Sequence, residues 1–464
     1  MVAVPATRAI RFSPGRAAAL FASAGAISGM DSADTDDAPD RRSAGFKNRT
    51  RIDDASERVL DAVTPHDRTE RLALIPADGR ALADPVESPR AVPDYDRAAM
   101  DGWAVRASDT FGSSSRSPGV LRVADDTAHS SPETDVVDGA AVRVHTGSEL
   151  PEGADAVVMI EHAERVGDDL EVFDALTEGE NVAPVGEDVA EDQALFEAGH
   201  QLRPSDLGLL KSVGVDRVTA YERPTVGVIP TGEELVQSDP APGEVVETNG
   251  LTVSQLVDRW GGVPTYRNVV TDDPAALRAA VQRDLTKDIV VTTGGSSVGA
   301  RDLIPEVVDD LGEVLVHGVA LKPGHPVALG VVDETPVVML PGYPVAAIVN
   351  AVQFLRPLVK YLGHLPDDPP PTRRARLARK IPSEPGVRTF ARVELDDSAT
   401  DDAGAAGGAT DADASLPTAT PTRASGSGVL SSVALADGWV AVPEGREGYD
   451  AGETVAVERW EWSA

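Results

Sequence analysis

From about residue 223 to residue 364, short apolar runs alternate with segments whose apolar residues recur every three or four positions. Runs such as "TVGVI", "DIVVTT" and "PVVML" predict buried strands, and segments such as "LTVSQLVDRWGG" predict helices that end at glycine. Strands that alternate with helices favour a parallel sheet with helices on both faces. We therefore predict a doubly wound α/β domain in the middle of the chain.

The pattern changes on both sides of this domain. A helical stripe in "RIDDASERVLDAV" precedes short β-like pieces up to about residue 200, punctuated by glycine, proline and aspartate. Short strands are predicted again after residue 365, in "GVRTFARVEL" and "GWVAVPE". The predicted fold class is therefore multi-domain α/β plus β, with a central doubly wound domain, β-rich N-terminal domains and a small C-terminal β domain.

These changes set the predicted domain boundaries. A low-complexity stretch at about 397–425 predicts a disordered insertion. The first 29 residues contain no acid and resemble a targeting peptide, but acidity begins abruptly at Met30, which favours translation starting there. The predicted regions are a disordered or mis-started leader at 1–45, a discontinuous helical linker domain at 46–90 and 186–222, a β-rich lid domain at 91–185, the α/β domain at 223–364 and the C-terminal β domain at 365–464.

Composition narrows the class of protein. The chain of 464 residues carries a formal net charge of −34 and contains only six lysines, a balance typical of proteins dissolved in concentrated salt. We expect a halophile's cytoplasm, and the charge argues against nucleic acid or an anionic membrane as a partner. The absence of cysteine excludes disulfides, zinc–thiolate sites and thiol nucleophiles. No apolar run approaches the roughly 20 residues that a membrane span requires.

Each predicted strand of the α/β domain is followed by a turn rich in glycine, proline or acidic residues. Ligands of open α/β sheets bind outside the carboxyl ends of the strands, so turns that meet at this edge predict one binding site. The five turns are "PTGEEL", "TDDP", "TTGGSSVGARD", "KPGHP" and "LPGYP".

The "GGSSVG" turn carries a specific prediction. Its glycines let the backbone approach an anion closely, its two serines add hydroxyl donors, and the following helix offers unpaired N–H groups. Lys322 would supply the positive charge that a phosphate needs. The alternative is that the glycines only make a tight turn and that Asp302 caps the following helix.

Acidic residues at the same edge suggest a cation, most simply Mg²⁺, between carboxylate and phosphate oxygens. Most of the 76 acidic residues must be solvated surface, so each candidate taken alone is explained as well by a structural role. Asp272 and Asp273 are predicted helix caps, whereas the glutamates of "TGEEL" directly follow a buried strand. The candidates are Glu233, Glu234, Asp272, Asp273 and Asp302.

A longer set of motifs resembles the MoeA family, the molybdopterin molybdenumtransferases. They are "PDYDRAAMDGWAV", "VHTGSELPEGADAVVMIE", "PVGEDV", "PTGEEL", "TNG", "TTGGSSVGARD", "ALKPGHP", "LPGYPV" and "GSGVLSSVALADG", in order from about residue 46 to 460. The resemblance implies a Mg²⁺-dependent enzyme that inserts molybdate into adenylylated molybdopterin and releases AMP. It also implies homodimers, similar to the C-terminal domain of gephyrin, in which the sheet domain of one subunit and the N-terminal β domain of the other share each site.

The resemblance assigns roles to matching positions. Asp101 and Asp188 are the implied Mg²⁺ ligands. The implied catalytic residues are Asp101, Asp188, Glu234, Asp302 and Lys322, and the implied substrate-binding residues are Thr146, Thr231, Gly232, Asp272, Gly294, Gly295, Ser296, Ser297, Gly299, Pro323, Gly324, Pro341, Gly342 and Pro344.

The sequence departs from the family pattern at a few positions. Many bacterial members have lysine where Gly318 and His325 stand, and Glu233 replaces the aspartate of "TGDEL". His145 and His162 lie within family motifs and are predicted to be packing or surface residues.

Two other functions stay open at this point. The α/β domain alone resembles the single-domain molybdopterin adenylyltransferases, one of which is also an implied partner that hands over the substrate. A non-catalytic, gephyrin-like binding scaffold is the other alternative. The sequence does not choose between molybdate and tungstate, which are dianions of nearly equal size.

Overall fold

The computed structural model describes residues 49–125, 134–294, 303–398, 416–422 and 426–462. The predicted leader at 1–45 lies outside these residues, as do residues 295–302 of "TTGGSSVGARD" and most of the predicted insertion.

The N-terminal region is mainly β-structure. Its elements are α1 (Ile52–Asp61), β1 (Thr69–Ala73), β2 (Val86–Glu87), β3 (Arg97–Ala98), β4 (Gly102–Val105), β5 (Gly119–Asp125), β6 (Ala140–Val144), β7 (Ala156–Met159), β8 (Ala163–Val166), β9 (Asp169–Val172), β10 (Val182–Ala183), β11 (Ala194–Phe196), α2 (Pro204–Ser212) and β12 (Arg217–Tyr221), with short 3₁₀ turns at Ile75–Ala77, Ala107–Thr110 and Ile160–His162. Six strands form one sheet in the order β7-β4-β6-β5-β9-β8, which we call the lid sheet. Its core contains Trp103, Leu121, Val158 and Leu170.

The segments predicted as a helical linker contain four short strands as well as two helices. β1 pairs with β12 and β2 with β11, both antiparallel, and α2 is the helix beside them. Helix α1 packs elsewhere: its buried Ile52, Ala55 and Val59 join the core of the central region. The helical stripe was therefore a sound prediction of a helix, but that helix covers the central sheet.

The central region contains the predicted α/β sheet. Its elements are β13 (Thr225–Pro230), β14 (Leu235–Val236), β15 (Val245–Val246), α3 (Asn249–Arg259), β16 (Val263–Tyr266), α4 (Pro274–Asp284), β17 (Ile289–Thr293), α5 (Leu303–Leu311), β18 (Glu313–His317), β19 (Leu321–Lys322), β20 (Ala328–Val332), β21 (Thr335–Leu340), α6 (Pro344–Asn350), a π-helical turn (Ala351–Leu355) and α7 (Arg356–Leu362). The strand order is β16-β13-β17-β21-β20-β18. Strands β16, β13, β17 and β21 are parallel neighbours.

The prediction of a parallel sheet does not hold at β20. This strand lies antiparallel between β21 and β18, so the sheet is mixed. Asp333 and Glu334 join β20 to β21 in a tight hairpin, with φ angles of +47° and +68°. Hairpin turns with positive φ usually contain asparagine or glycine. Because "DE" is not such a signal, the sequence pattern did not reveal the strand.

Apolar side chains cover both faces of the sheet. Val291 and Val338 pack on one face with α1, α3 and the helical segment 344–362, whereas their neighbours Val290 and Val337 pack on the other with α4 and α5. Consecutive strand residues point to opposite faces, so a sheet buried on both sides needs unbroken apolar runs. The predicted doubly wound character of the domain is confirmed.

The segment Pro344–Leu362 is the longest apolar helical stretch. It has a mean hydropathy of 1.3 over a window long enough to cross a membrane, but 83% of that window is buried inside the protein. Its side chains, such as Phe354 and Leu358, belong to the central core. Its apolar composition is therefore explained by packing within the protein.

The C-terminal region contains β22 (Thr372–Leu377), β23 (Ile381–Pro382), β24 (Arg388–Asp396), β25 (Thr418–Pro421), α8 (Ser431–Ala434), β26 (Gly438–Val442), β27 (Gly448–Tyr449) and β28 (Thr454–Glu458). The strand order is β19-β24-β25-β22-β28-β26, and an additional β24–β26 pairing closes five of these strands into a barrel. Strand β19 of the central region thus extends this sheet. Thr418–Pro421 form a strand, so the prediction of disorder throughout 397–425 is wrong there.

Candidate active site

The turns after the parallel strands are linked by backbone hydrogen bonds at the carboxyl edge of the central sheet. Thr231 N–H donates to the carbonyl of Thr293 at 2.9 Å, and Gly232 N–H donates to that of Val270 at 3.1 Å. Gly294 N–H donates to the carbonyl of Leu340 at 3.0 Å. The structure therefore brings together the segments that carry "TGEEL", "TDD", "TTGG" and "LPGYP". We call this group the edge site.

Gly294 is at the centre of the edge site and has no room for a side chain. Its φ is +110°, and a Cβ atom built on it would lie 2.1 Å from the carbonyl oxygen of Thr231. A Cβ on Gly342 would contact the Cα of Gly294 at 3.5 Å. The backbones of three turns thus meet here without side chains between them.

Two threonine hydroxyls at the edge site are buried without a partner. Thr231 and Thr293 are each 1% exposed, and neither hydroxyl makes a hydrogen bond among the described residues. Buried polar atoms nearly always have partners, so such groups call for an explanation such as a ligand or water. Thr231 was a sequence candidate, whereas Thr293 was missed because it looks like the end of an apolar strand.

Sequence reasoning also missed how the start of α3 contributes. Asn249 Nδ2 donates to the carbonyl of Gly342 at 2.8 Å. Glu247, only 6% exposed, accepts a bond from Gly250 N–H at 2.6 Å and another from the Tyr266 hydroxyl. Burial and the bond to Glu247 raise the pKa of Tyr266 to about 12. The signal was the "TNG" motif, whose polar residues stand just where a helix begins.

The C-terminal region adds a wall to the edge site. The carbonyl of Ser427 accepts a bond from Val345 N–H at 3.0 Å, directly after Pro344. Tyr343 is 62% exposed beside this contact, and a Cβ atom on Gly428 would lie 3.3 Å from its ring. The "GSGVLSS" segment therefore packs on the "LPGYP" turn, which also contains Pro341.

Lys322 is held by the C-terminal region. Strand β19 pairs with β24, and Lys322 Nζ lies 3.3 Å from Glu384 Oε1, with the lysine side chain 61% exposed. After Pro323, the carbonyl of Gly324 accepts a bond from Asn350 Nδ2 at 2.9 Å. The structure thus anchors "KPG" to α6. Among the described residues, Lys322 forms its ion pair with Glu384, which a phosphate would have to displace.

The remaining candidates of the central region have varied surroundings. Glu234 is exposed, and its carboxylate lies next to Gly232, 2.9 Å from a Cβ atom built there. Asp273 accepts a bond from Ala276 N–H at 2.8 Å and caps α4, as predicted. Asp272 lies half-buried just before this cap. Outside the described residues lie Gly295, Ser296, Ser297, Gly299 and Asp302.

A second group of candidates surrounds Asp101, directly before β4 of the lid sheet. Asp101 Oδ1 accepts bonds from the backbone N–H and the hydroxyl of Thr146, at 2.7 and 2.8 Å. These two bonds lower the pKa of Asp101, so the carboxylate is ionised. His145 Nδ1 lies 3.7 Å from the same oxygen.

Asp101 and Thr146 line an open cavity of about 410 Å³, which we call the lid cavity. Its lining is completed by Met100, Met159, Glu161 and His162. The two methionines contribute apolar surface to the lining, and Asp101 and Glu161 contribute carboxylates. The cavity is therefore suited to a ligand that has an apolar part and that carries or recruits a cation to pair with the carboxylates.

Asp188 lies on an exposed turn of the same region. Its N–H donates to the carbonyl of Val92 at 3.0 Å, and the preceding Glu187 forms an ion pair with Arg97 at 3.4 Å. These contacts hold "PVGEDV" against the chain that leads to Asp101. The Asp188 carboxylate itself faces solvent.

The described residues contain no group of three histidine, cysteine, aspartate or glutamate side chains placed to hold a metal ion. Mg²⁺ often takes only one or two carboxylates and completes its shell with substrate phosphates and water. Both bonds from Thr146 go to Oδ1 of Asp101, so neither of them uses Oδ2. The ionised Asp101 carboxylate therefore fits a Mg²⁺ ion that a substrate helps to bind.

Three family models match the chain in sequence order. The model described as "MoeA N-terminal region (domain I and II)" matches residues 50–214. "Probable molybdopterin binding domain" matches residues 227–361, and "MoeA C-terminal region (domain IV)" matches residues 374–460.

Individual relatives extend over the same regions. The molybdopterin molybdenumtransferase of Bacillus subtilis is 31% identical over 431 residues, which cover 89% of this chain and 96% of that protein. Molybdopterin molybdenumtransferase 2 of Mycobacterium tuberculosis is 33% identical over 351 residues, or 73% of this chain and 86% of that protein. The crystal structure of the molybdopterin biosynthesis moeA protein from Pyrococcus horikoshii OT3 has a TM-score of 0.73 at 29% identity and covers 88% of this chain and 99% of that one.

Proposed function

The chain belongs to the MoeA family, and on that premise we propose that it is a molybdopterin molybdenumtransferase of molybdenum cofactor biosynthesis. The observation that carries the proposal is the match of all three family models, in order, to the regions that build the edge site and the lid cavity. The enzyme is thus a transferase with molybdopterin and an oxyanion of molybdenum as substrates.

We further propose that the molybdopterin arrives adenylylated and that AMP is released when the metal is inserted. The edge site supports this substrate because its backbones meet at Gly294 and Gly342 without side chains between them. An anion bound there would find the buried hydroxyls of Thr231 and Thr293 as donors. Gly232 and Asn249 hold the neighbouring turns in place.

Charged residues then divide the remaining work. Lys322 would neutralise a phosphate, in competition with its ion pair to Glu384. Asp101, kept ionised by Thr146, would orient a Mg²⁺ ion together with Asp188. When bound, Mg²⁺ supplies positive charge that stabilises the phosphate oxygens as charge develops on them. We propose Glu234 and Asp302 as further catalytic residues and Asp272 as a substrate-binding residue.

The division of candidates between two sheets supports a homodimer. Asp101 and Thr146 belong to the lid sheet, whereas Thr231 and Gly294 belong to the central sheet. A complete site is formed if the lid of one subunit covers the edge site of the other. The acidic, lysine-poor composition supports a cytoplasm rich in salt as the location. We propose a molybdopterin adenylyltransferase as the partner that supplies the substrate.

Reconstitution tests this function. The purified protein, in high salt, is mixed with adenylylated molybdopterin, Mg²⁺ and either molybdate or tungstate, and released AMP and incorporated metal are measured. We expect both products in equal amounts with at least one oxyanion. Retention of the adenylyl group with both oxyanions would contradict the proposal. Consumption of ATP with metal-free molybdopterin would instead indicate an adenylyltransferase.

A further inference from the structure

The lid cavity presents an anionic substrate with an unfavourable charge. Two carboxylates, those of Asp101 and Glu161, line it. In the part of the chain that the structure describes, no lysine or arginine is among its lining residues. A phosphate oxygen that enters would be repelled unless a positive group lies close to it. Among the lining side chains, only His162 can become positively charged.

The His162 ring is held in place from a second strand. His162 ends the 3₁₀ turn that follows β7, and its carbonyl accepts a bond from Phe173 N–H at 2.9 Å. Its Nδ1 lies 3.1 Å from Asp174 Oδ2, just after β9. This contact orients the ring through Nδ1 and leaves Nε2 as the ring nitrogen that can bond a ligand. The imidazole therefore has the arrangement of an oriented donor.

We propose that His162 is a substrate-binding residue of the lid, whose Nε2 donates a hydrogen bond to an anionic oxygen of the substrate. Asp174 is the positioning residue that orients the ring. This inference rests on the function proposed above, in which the substrate carries phosphates. Sequence reasoning treated His162 as a packing or surface residue, but its side chain is 42% exposed and lines the cavity beside Asp101.

The test compares steady-state kinetics of AMP release by the full-length protein and its variants. His162→Ala and His162→Gln remove the imidazole, and His162→Lys supplies a positive charge without the ring. The His200–Asp206 pair, at 2.8 Å beside α2, combines the same side-chain types away from the lid sheet, so His200→Gln is the matched control. Thermal melting confirms that each variant is folded.

We expect KM for adenylylated molybdopterin to rise about tenfold in His162→Ala and His162→Gln, the loss typical of a hydrogen bond to a charged group, while kcat changes little. His162→Lys restores most of the affinity, and Asp174→Asn gives a smaller rise in KM with unchanged kcat. His200→Gln leaves both constants unchanged. A wild-type KM in folded His162→Ala and His162→Gln overturns the inference.

Calorimetric titration with AMP separates this inference from the proposed function. If the wild-type protein releases no AMP from adenylylated molybdopterin, the proposed function fails, but AMP remains a phosphate-bearing probe of the cavity. Weaker binding of AMP to His162→Ala than to the wild-type protein then supports the role of His162. Equal binding by the two proteins, or no binding by either, overturns it.

Discussion

The edge site and the lid cavity use different chemistry to meet one proposed substrate. At the edge site, next to the exposed carboxylate of Glu234, the polar groups where the backbones meet are main-chain amides, the hydroxyls of Thr231 and Thr293 and the amide of Asn249. In the lid cavity, the polar lining includes the carboxylates of Asp101 and Glu161. Neutral donors at close-packed backbone act through shape, whereas exposed carboxylates act through charge and need a cation. Substitutions that change volume should therefore act mainly at the edge site, and substitutions that change charge mainly in the lid.

The largest effect is expected from Gly294→Val. A side chain there meets the Thr231 carbonyl at 2.1 Å and requires a left-handed backbone that valine avoids, so the edge site must open. We expect loss of AMP release by more than about a hundredfold and destabilisation by about 2 kcal/mol or more. Gly386→Ala, which also has positive φ but open space, is the control and should retain activity. Normal turnover by Gly294→Val would refute the role of shape.

Asp101→Asn tests the role of charge in the lid. The asparagine oxygen can still accept the bonds from Thr146, so the geometry is retained while the negative charge is lost. We expect AMP release at saturating Mg²⁺ to fall about a hundredfold, as for other charge-assisted contacts removed from an active site. Glu164→Gln, an exposed change on β8, is the control. An unchanged dependence of the rate on Mg²⁺ would show that Asp101 does not help to bind the ion.

Asp206→Asn removes a carboxylate that is expected to stabilise the fold without taking part in the reaction, so it serves as a reference for the lid carboxylates. Burial acts to raise the pKa of Asp206, but bonds from Arg203 and His200 outweigh it and lower the pKa to about 2. The stabilisation is complete above the unfolded pKa of 3.8 and is lost as the pH falls through about 2. We expect the variant to lose up to about 2 kcal/mol at pH 7, and little near pH 2, in urea unfolding.

Activity distinguishes Asp206 from the lid carboxylates, because Asp206→Asn should leave KM and kcat of the folded protein unchanged. Asp216→Asn is the matched control for stability, since its ion pair with Lys211 is exposed on both sides. Equal stability of Asp206→Asn and the wild-type protein across this pH range would contradict the stabilising role of the buried Asp206 carboxylate.

The smallest effect is expected from Glu384→Gln, which removes the described ion-pair partner of Lys322. If Lys322 neutralises a phosphate, its release should tighten binding of adenylylated molybdopterin two- to threefold, about 0.5 kcal/mol for an exposed pair. Asp450→Asn breaks the similar exposed pair with Lys380, at 2.8 Å, and should have no effect on binding. Weaker binding by Glu384→Gln would show that Glu384 itself contributes to the site.

The local sequence pattern predicted the helices and strands well, but it did not predict which residues distant in the sequence contact each other. Val290 and Val291 reveal a strand because both faces of the sheet are apolar, and "DDP" reveals the cap of α4. Nothing local indicates that Lys322 pairs with Glu384, 62 residues away, or that Asn249 bonds Gly342, 93 residues away. Such contacts depend on how the regions pack.

The candidate site shows the same limit. Motifs identified Thr231, Gly294 and Asp101 because short spacing and residue type carry the resemblance. They did not reveal that Thr293 has an unpartnered buried hydroxyl or that Asp174 orients His162. Those properties arise from burial and from strand register, which a single sequence does not display. The role of each motif residue stays a prediction until the variants are measured.

Strand β19 gives the C-terminal barrel a direct grip on the lysine of "KPG". Leu321 and Lys322 pair with Arg388 and Thr389 of β24. Because of this pairing, a rotation of the barrel would move the ammonium group of Lys322 with it. The distance between the Lys322 ammonium group and the edge site therefore depends on the orientation of the C-terminal barrel relative to the central sheet.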